Sequence, residues 1–479
     1  MRSQGSFGTK PNSVAVVLAC VVYVAAGVAA AGQMERFVRV SPRDCRYFEL
    51  DDGTPFIPNG LNMIAPYGSE REALALMETW IEKLSANGGN YIRLWLSNGF
   101  FDVEHEKSGQ YDAEKARRID AVLEMARSRG VRVKMTIEHF RTIGGGRQSW
   151  ADKPLHHVSQ GGPAESMDDF FAGEKSRAQF KRKLDFYRDR YGHDPAIFSW
   201  ELWNEIDAAS GKGYEQWTVE MLAELKNRFP KNLVVQSLGS FDNDSKRDRY
   251  RRFSLMAGND YAQVHRYLDL GARLEVCKGP VDVLAADAVR ELLSYGCGKP
   301  VILAESGAVE PGHSGPFKLY AADTAGIILH DVLFAPFFAG SAGTGQIWHW
   351  DHYVAKNDLW RHFGGFAAAV KGIDPPTEDF QPVVLEQSSL RVYGLRGRTV
   401  FIAWLRDKAN TWQSELAGRQ AASVIADGTL DLGAVETLAD ARAAAVYDPW
   451  SDKSVEAPII RGKISLPPFS RSVVVRVYR

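Results

Sequence analysis

The sequence predicts an α/β fold, a (β/α)₈ barrel followed by a small all-β domain, and three observations carry that prediction. Eight short apolar or mixed runs recur between residues 56 and 351. Helix-like stretches separate many of them, the alternation expected of parallel strands with crossover helices. After residue 370 the pattern changes to short β-prone runs divided by turns. A length of 479 residues suits one barrel plus a smaller module.

The chain starts with basic Arg2 and Lys10, then an apolar run from Val14 to Ala31 that closes on Ala29-Ala30-Ala31. Residues 1–31 are expected to be a signal peptide or an N-terminal anchor, placing the mature protein outside the cytosol, secreted or in the cell envelope. Contact with a membrane is expected only if that segment stays uncleaved. Residues 32–370 are read as the barrel, with 32–55 as a lead-in strand or cap. Its strands are expected at Phe56–Met63, Asn90–Ser97, Arg132–His139, Ile197–Glu205, Leu233–Gly239, Tyr261–Leu268, Pro300–Gly307 and Gln346–Asp351. Most are rich in Val, Ile, Leu and aromatics, as strands buried on both faces should be. Between the first two, Leu74, Met77, Ile81 and Leu84 share one face of a helix over Glu70–Ala86. Between the second and third, Ile119, Val122, Leu123 and Met125 do the same over Ala113–Arg129, with Gly130 as C-cap. Lys371–Pro376 reads as a linker. Residues 377–479 read as a β-sandwich, ending in the strand Ser472–Val477. Trp404, Trp412 and Trp450 favour a buttress over a sugar-binding module, since all three suit a core.

Net charge is −1, without the basic excess of a nucleic-acid binder. Of the four cysteines, Cys20 lies in the leader, and Cys277 and Cys297 are candidates for a bridge worth about 3 kcal/mol. His156-His157 is an adjacent pair, ill placed to share a metal, and is read as two surface or cleft histidines.

Active sites of such barrels lie at the C-terminal ends of the strands. The fourth run ends Trp203-Asn204-Glu205 and the seventh ends Ala304-Glu305-Ser306. An ionised Glu gains nothing from a core strand unless it is paired. Two at one barrel mouth point to a paired-carboxylate site, which glycoside cleavage requires: one group protonates the leaving oxygen and the other attacks the anomeric carbon.

These motifs resemble those of glycoside hydrolase family 5, the cellulase and β-mannanase family of clan A. Trp200-Glu-Leu-Trp-Asn-Glu205 is similar to its acid/base motif, and Ile302-Leu-Ala-Glu-Ser-Gly307 to its nucleophile motif. Arg93 is similar to the strand-two arginine that braces the nucleophile. His139 sits where the family carries a histidine after strand three. His265-Arg-Tyr267 matches a His-x-Tyr after strand six, and Trp348 and Trp350 lie where a tryptophan floors the sugar site. The resemblance covers the whole barrel. It implies a retaining enzyme acting on an oligo- or polysaccharide, β-mannan or β-glucan in type, with Glu205 as acid/base and Glu305 as nucleophile.

The residues themselves support those roles. Arg93 would hold Glu305 ionised, Tyr267 would orient it, and Asn204 would bond the sugar 2-hydroxyl. Apolar neighbours such as Trp203, together with the charge of Glu305, would raise the Glu205 pKa. His139 and His265 are read as sugar contacts or their supports. Trp348 and Trp350, two apart on a strand, should face one side, with Trp350 favoured under the substrate. Glu138, Asp207, Asp351 and His352 are further candidates in or near the cleft. No metal or organic cofactor is implied. The long glycine-rich loop 144–157 and the loop 306–316 match no cellulase or mannanase pattern. Another sugar specificity, transglycosylation, and a non-catalytic carbohydrate-binding protein stand as alternatives; the two intact carboxylates weigh against the last.

Overall fold

A computed structural model describes residues 34–139, 154–209, 211–433, 435 and 441–478. The leader expected at 1–31 and most of the glycine-rich loop lie outside the described residues. Among the described residues no helix is long and apolar enough to cross a membrane.

The first part is a (β/α)₈ barrel. Five parallel strands stand side by side in chain order: β1 (Gly60–Asn62), β2 (Tyr91–Trp95), β3 (Arg132–His139), β4 (Ile197–Asn204) and β5 (Leu233–Val235). Strands β6 (Ala262–His265) and β7 (Val301–Glu305) form a second parallel pair. The break between β5 and β6 is spanned by Val234 and Asp260, with the Asp260 N–H donating to the Val234 carbonyl at 3.0 Å.

The eighth position departs from expectation. Gln346–Asp351 is no continuous strand; Ile347 alone makes parallel bridges to Leu61 and Ser306 and so closes the ring. Trp350–Ala355 then coils into a π-helical turn, which takes Trp350 off the strand register. The expected first strand is also shorter. Phe56 belongs to a three-stranded antiparallel lead-in sheet, where it pairs with Phe48, and Pro58 separates it from β1. Pro58 has no N–H for a ladder.

The helices follow the sequence pattern closely. Helix α1 covers Glu70–Ala86, with the Ser69 and Glu72 side chains capping it reciprocally. Helix α2 covers Ala113–Ser128, and Gly130 behind it adopts φ +70°. Both bury one stripe on the sheet, Met77, Ile81 and Leu84 from α1 and Ile119, Val122 and Leu123 from α2.

The C-terminal region is an antiparallel sheet. Its central ladder joins β8 (Gln381–Glu386), β9 (Leu390–Arg396), β10 (Val400–Asp407), β13 (Ser472–Tyr478), β11 (Ala443–Asp448) and β12 (Lys453–Ile460) in that spatial order. Short strands at Lys463–Ser465 and Thr429–Asp431 extend it. Strand alternation splits its side chains between two cores. Phe401, Ala403, Leu405, Val473, Val475 and Val477 pack within the module, on Leu430 and Ile464 among others. Ile402, Trp404 and Val474 face the barrel's core. Buried ion pairs cross the same boundary: Arg406 holds Asp331 at 2.7 Å, and Arg391 holds Asp282. Trp412 donates to the Gly279 carbonyl at 2.9 Å.

Cys277 and Cys297 do not bridge. Both are free thiols, Cys277 buried with its sulfur 3.9 Å from the Phe241 carbonyl oxygen. The candidate bridge is not made: helix α3 (Val281–Ser294) spans the interval between the two cysteines and sets its two ends apart.

Candidate active site

Strands β4 and β7 end as the sequence anticipates, each with a glutamate at the barrel mouth. Glu205 follows the last residue of β4 and takes φ +50°, a left-handed conformation that costs a non-glycine residue of order 1 kcal/mol. Local bonds hold it there. Its N–H donates to Ser237 Oγ at 2.9 Å, and its carbonyl accepts from the Ala208 N–H at 2.8 Å. Glu305 is the last residue of β7, and the chain turns away two residues later at Gly307, where φ is +126°.

The two carboxylates face one another across a histidine. His265 Nδ1 lies 2.8 Å from Glu205 Oε1 and 3.3 Å from Glu305 Oε2. Glu205, His265 and Glu305 each present an atom within 4.8 Å of the others, so the closest carboxylate oxygens are no farther apart than that. Burial, opposed by Glu305, lowers the His265 pKa to about 4, so the ring is neutral in ordinary buffers. Burial, then the charge of Asp207, raises Glu205 to about 7. The direction is as expected, but the neighbour responsible is Asp207, fixed by Arg249 at 2.7 Å, rather than Glu305.

Glu305 is held at both oxygens. Arg93 donates to Oε1, and the Tyr267 hydroxyl donates to Oε2 at 2.7 Å. Arg93 is wholly buried and reaches four further groups: Glu201 at 2.6 Å, Asn204 Oδ1 at 2.7 Å, Thr136 and Asn62. Burial opposes its charge, but Glu201 and Glu305 raise its pKa above the usual value. Because Asn204 turns its Oδ1 to Arg93, its amide nitrogen is the end free to donate into the cleft.

The cleft has a volume of about 970 Å³, the scale of a ligand site. Asn204, Glu205, Tyr267, Glu305, Trp348 and Trp350 line it, as do Asp207, Asp351 and His352. Trp348 packs on Trp95 with centroids 4.9 Å apart. Trp348 and Trp350 both line this cleft, as expected of one side, with ring centroids 6.3 Å apart and planes crossing at 86°, and Trp350 packs at a steep angle on Trp80. A π-helical turn begins at Trp350, which is buried, while Trp348 is only partly buried.

His139 lies one layer back. It stacks on Trp95 at 4.5 Å and bonds Ser97 at 2.6 Å. Glu138 is no third cleft carboxylate; it pairs with buried Lys183, which also holds Glu104 at 3.2 Å. His156 is buried rather than at the surface, bonded to Ser108 at 2.6 Å, while His157 bonds Ser159 at 2.7 Å. Their rings part to separate partners, as neighbours on an extended backbone do.

Sequence reasoning missed the charged interior beneath the site. Glu201 is fully buried between Arg93, Thr136, Gln263 and Lys134. Burial lowers the Lys134 pKa to about 7. The signal was present: Glu201 and Lys134 interrupt otherwise buried strands, and such charges need partners. Loop 306–316 is more ordered than its composition suggests. Ala308–Val309 pairs with Leu268–Asp269, and His313 bridges Asp269 and Ser240, each at 3.1 Å.

Residues 51–324 match the family profile described as Cellulase (glycosyl hydrolase family 5). The chain is 24% identical over 379 residues to a putative mannan endo-1,4-beta-mannosidase 9 of Oryza sativa, covering 72% of this chain and 89% of that one. It is 24% identical over 298 residues to mannan endo-1,4-beta-mannosidase 7 of Arabidopsis thaliana, covering 55% and 67%. Among solved structures, a family 5 glycoside hydrolase from Bacteroides vulgatus superposes with a TM-score of 0.57 at 14% identity, over 92% of this chain and 93% of that one.

Proposed function

Because the chain belongs to glycosyl hydrolase family 5 and is a glycoside hydrolase, we propose that it cleaves β-1,4-linked mannan with retention, Glu305 acting as nucleophile and Glu205 as acid/base. The observation that carries this reading is the spacing of the two carboxylates. Oxygens within 4.8 Å suit direct attack on the sugar. Retaining pairs stand about 5–5.5 Å apart, whereas an interposed water needs about 6.5–9.5 Å.

In the first step a Glu305 oxygen attacks the anomeric carbon, and the bond to the leaving oxygen breaks. Glu205, protonated below about pH 7, gives its proton to that oxygen. In the second step Glu205 takes a proton from water, the water oxygen attacks the same carbon, and Glu305 leaves. Arg93 and Tyr267 stabilise the carboxylate that departs. Neutral His265 spans both glutamates through one nitrogen, so it positions the pair in both steps. Asn204 offers its amide to the 2-hydroxyl, and Trp348 offers its face to the ring.

Mannan is preferred over glucan because the plant relatives carry mannan endo-1,4-beta-mannosidase names. Export rests on the Val14–Ala31 run. The C-terminal module acts as a buttress, a role supported by its buried Trp404 and Trp412. The test is release of reducing ends from β-1,4-mannan and β-1,4-glucan by purified protein. Mannan should be the faster substrate; cleavage of glucan alone would overturn the specificity.

A further inference from the structure

The cleft wall after Ile347 holds a histidine that double displacement leaves unused. His349 lines the cleft beside Trp348 and Trp350, although only 6% of it is exposed. Neither ring nitrogen has a hydrogen-bond partner among the described residues. Nδ1 is sealed from solvent, so Nε2 is the nitrogen with access to the cleft. The ring is nonetheless held in place. It lies 5.2 Å from the Tyr320 ring, and Tyr320 is itself pinned by the Ala308 N–H, 2.6 Å from its hydroxyl. The His349 carbonyl accepts from the Val354 N–H at 3.2 Å.

Burial, then the neighbouring His352 and His313, lowers the His349 pKa to about 3, so the imidazole is neutral. A neutral imidazole carries one N–H and one bare nitrogen. A buried N–H without a partner is rarer than a buried acceptor without one. The favoured tautomer therefore leaves Nδ1 bare and puts the hydrogen on Nε2. The wall thus combines an aromatic face at Trp348 with an adjacent unspent donor at His349 Nε2, the pairing of apolar surface and placed polar group that sugar recognition uses.

We propose that His349 is a specificity-determining residue, donating its Nε2–H to one hydroxyl of the sugar ring that lies over Trp348. The proposal rests on the glycosidase reading above and assigns part of that site's selectivity. A sugar lacking that hydroxyl, or holding it in the other configuration, leaves the donor unpaired and binds less well.

Binding, rather than turnover, separates this from the catalytic assignment. Mannotetraose and analogues with single hydroxyls replaced by hydrogen are titrated by calorimetry into Glu305→Ala protein, with His349 intact or changed to Phe or Gln. His349→Phe should weaken mannotetraose by about tenfold. It should cost nothing further on one deoxy analogue, the one whose missing hydroxyl His349 reads. His349→Gln, which keeps a donor, should recover part of the loss, and it serves alone with the same series if the Phe variant does not fold. Unchanged affinity, an equal loss on every analogue, or no sugar binding at all would each overturn the proposal. Turnover by the otherwise wild-type enzyme tests the catalytic reading separately.

Discussion

Replacing Glu205 by Gln should stabilise the protein, and increasingly so as pH rises. Folding takes this carboxyl into the cleft, where its side chain is 15% exposed, and raises its pKa from 4.5 to about 7, through burial first and Asp207 second. Between those pH values the folded chain keeps a proton that the unfolded chain has lost. Wild-type stability therefore falls as pH climbs through the window. The full gap corresponds to about 3 kcal/mol, of which about 2.5 kcal/mol accrues between pH 5 and pH 8. Gln does not titrate, so Glu205→Gln escapes that loss. Asp331, which burial also raises to about 7, is common to both proteins and cancels. His265, lowered in the folded state from 6.5 to about 4, stays neutral in both folded proteins above pH 5, and its titration in the unfolded chain is common to both and cancels. Urea unfolding followed by tryptophan fluorescence, at pH 5 and pH 8, gives the difference directly. The stability advantage of Glu205→Gln should widen by about 2.5 kcal/mol. A constant advantage across that range would refute the argument that burial holds the proton. The same ionisation should make wild-type kcat/KM fall on the alkaline side near pH 7.

Tyr267→Phe removes one of the two donors on Glu305 and leaves the ring in place. A hydrogen bond to a charged group contributes about 1.5–3 kcal/mol, so kcat should fall by about 10- to 100-fold with KM little changed; a change confined to KM would count against the assignment. At the module boundary, Arg406→Met strands buried Asp331 and should cost about 3–5 kcal/mol in chemical unfolding. Adding Asp331→Leu should restore most of it; equal losses in the single and double variants would mean that the pair matters little.

Much of the barrel was legible because its signals are local. A 3.6-residue stripe placed helices α1 and α2 to within a residue or so, with Gly130 marking the end of α2, and continuous apolar runs placed β3 and β4. The eighth position was misjudged because Gln346–Asp351 looks like a strand but is recruited through Ile347 alone. The π-turn at Trp350–Ala355 that follows has no periodicity in the sequence to announce it. Glu205 and Glu305 were readable as charges where buried runs meet loops. Glu201 carries the same signal, yet it sits mid-strand, and only its four buried partners explain why it is tolerated. The neighbour that raises Glu205 could not be chosen from spacing, because Asp207 acts through a turn and Glu305 across the barrel.

The division of labour between the two glutamates is tested most directly by azide rescue with an aryl β-mannoside whose leaving group needs little protonation. Glu205→Ala keeps the nucleophile, so its first step should survive and its second should stall for want of a base. Azide needs no base and should restore turnover, yielding a β-glycosyl azide, whereas Glu305→Ala should stay inert to azide on this route. Rescue of Glu305→Ala with an α-glycosyl azide as product, while Glu205→Ala stays dead, would contradict the account and exchange the two roles.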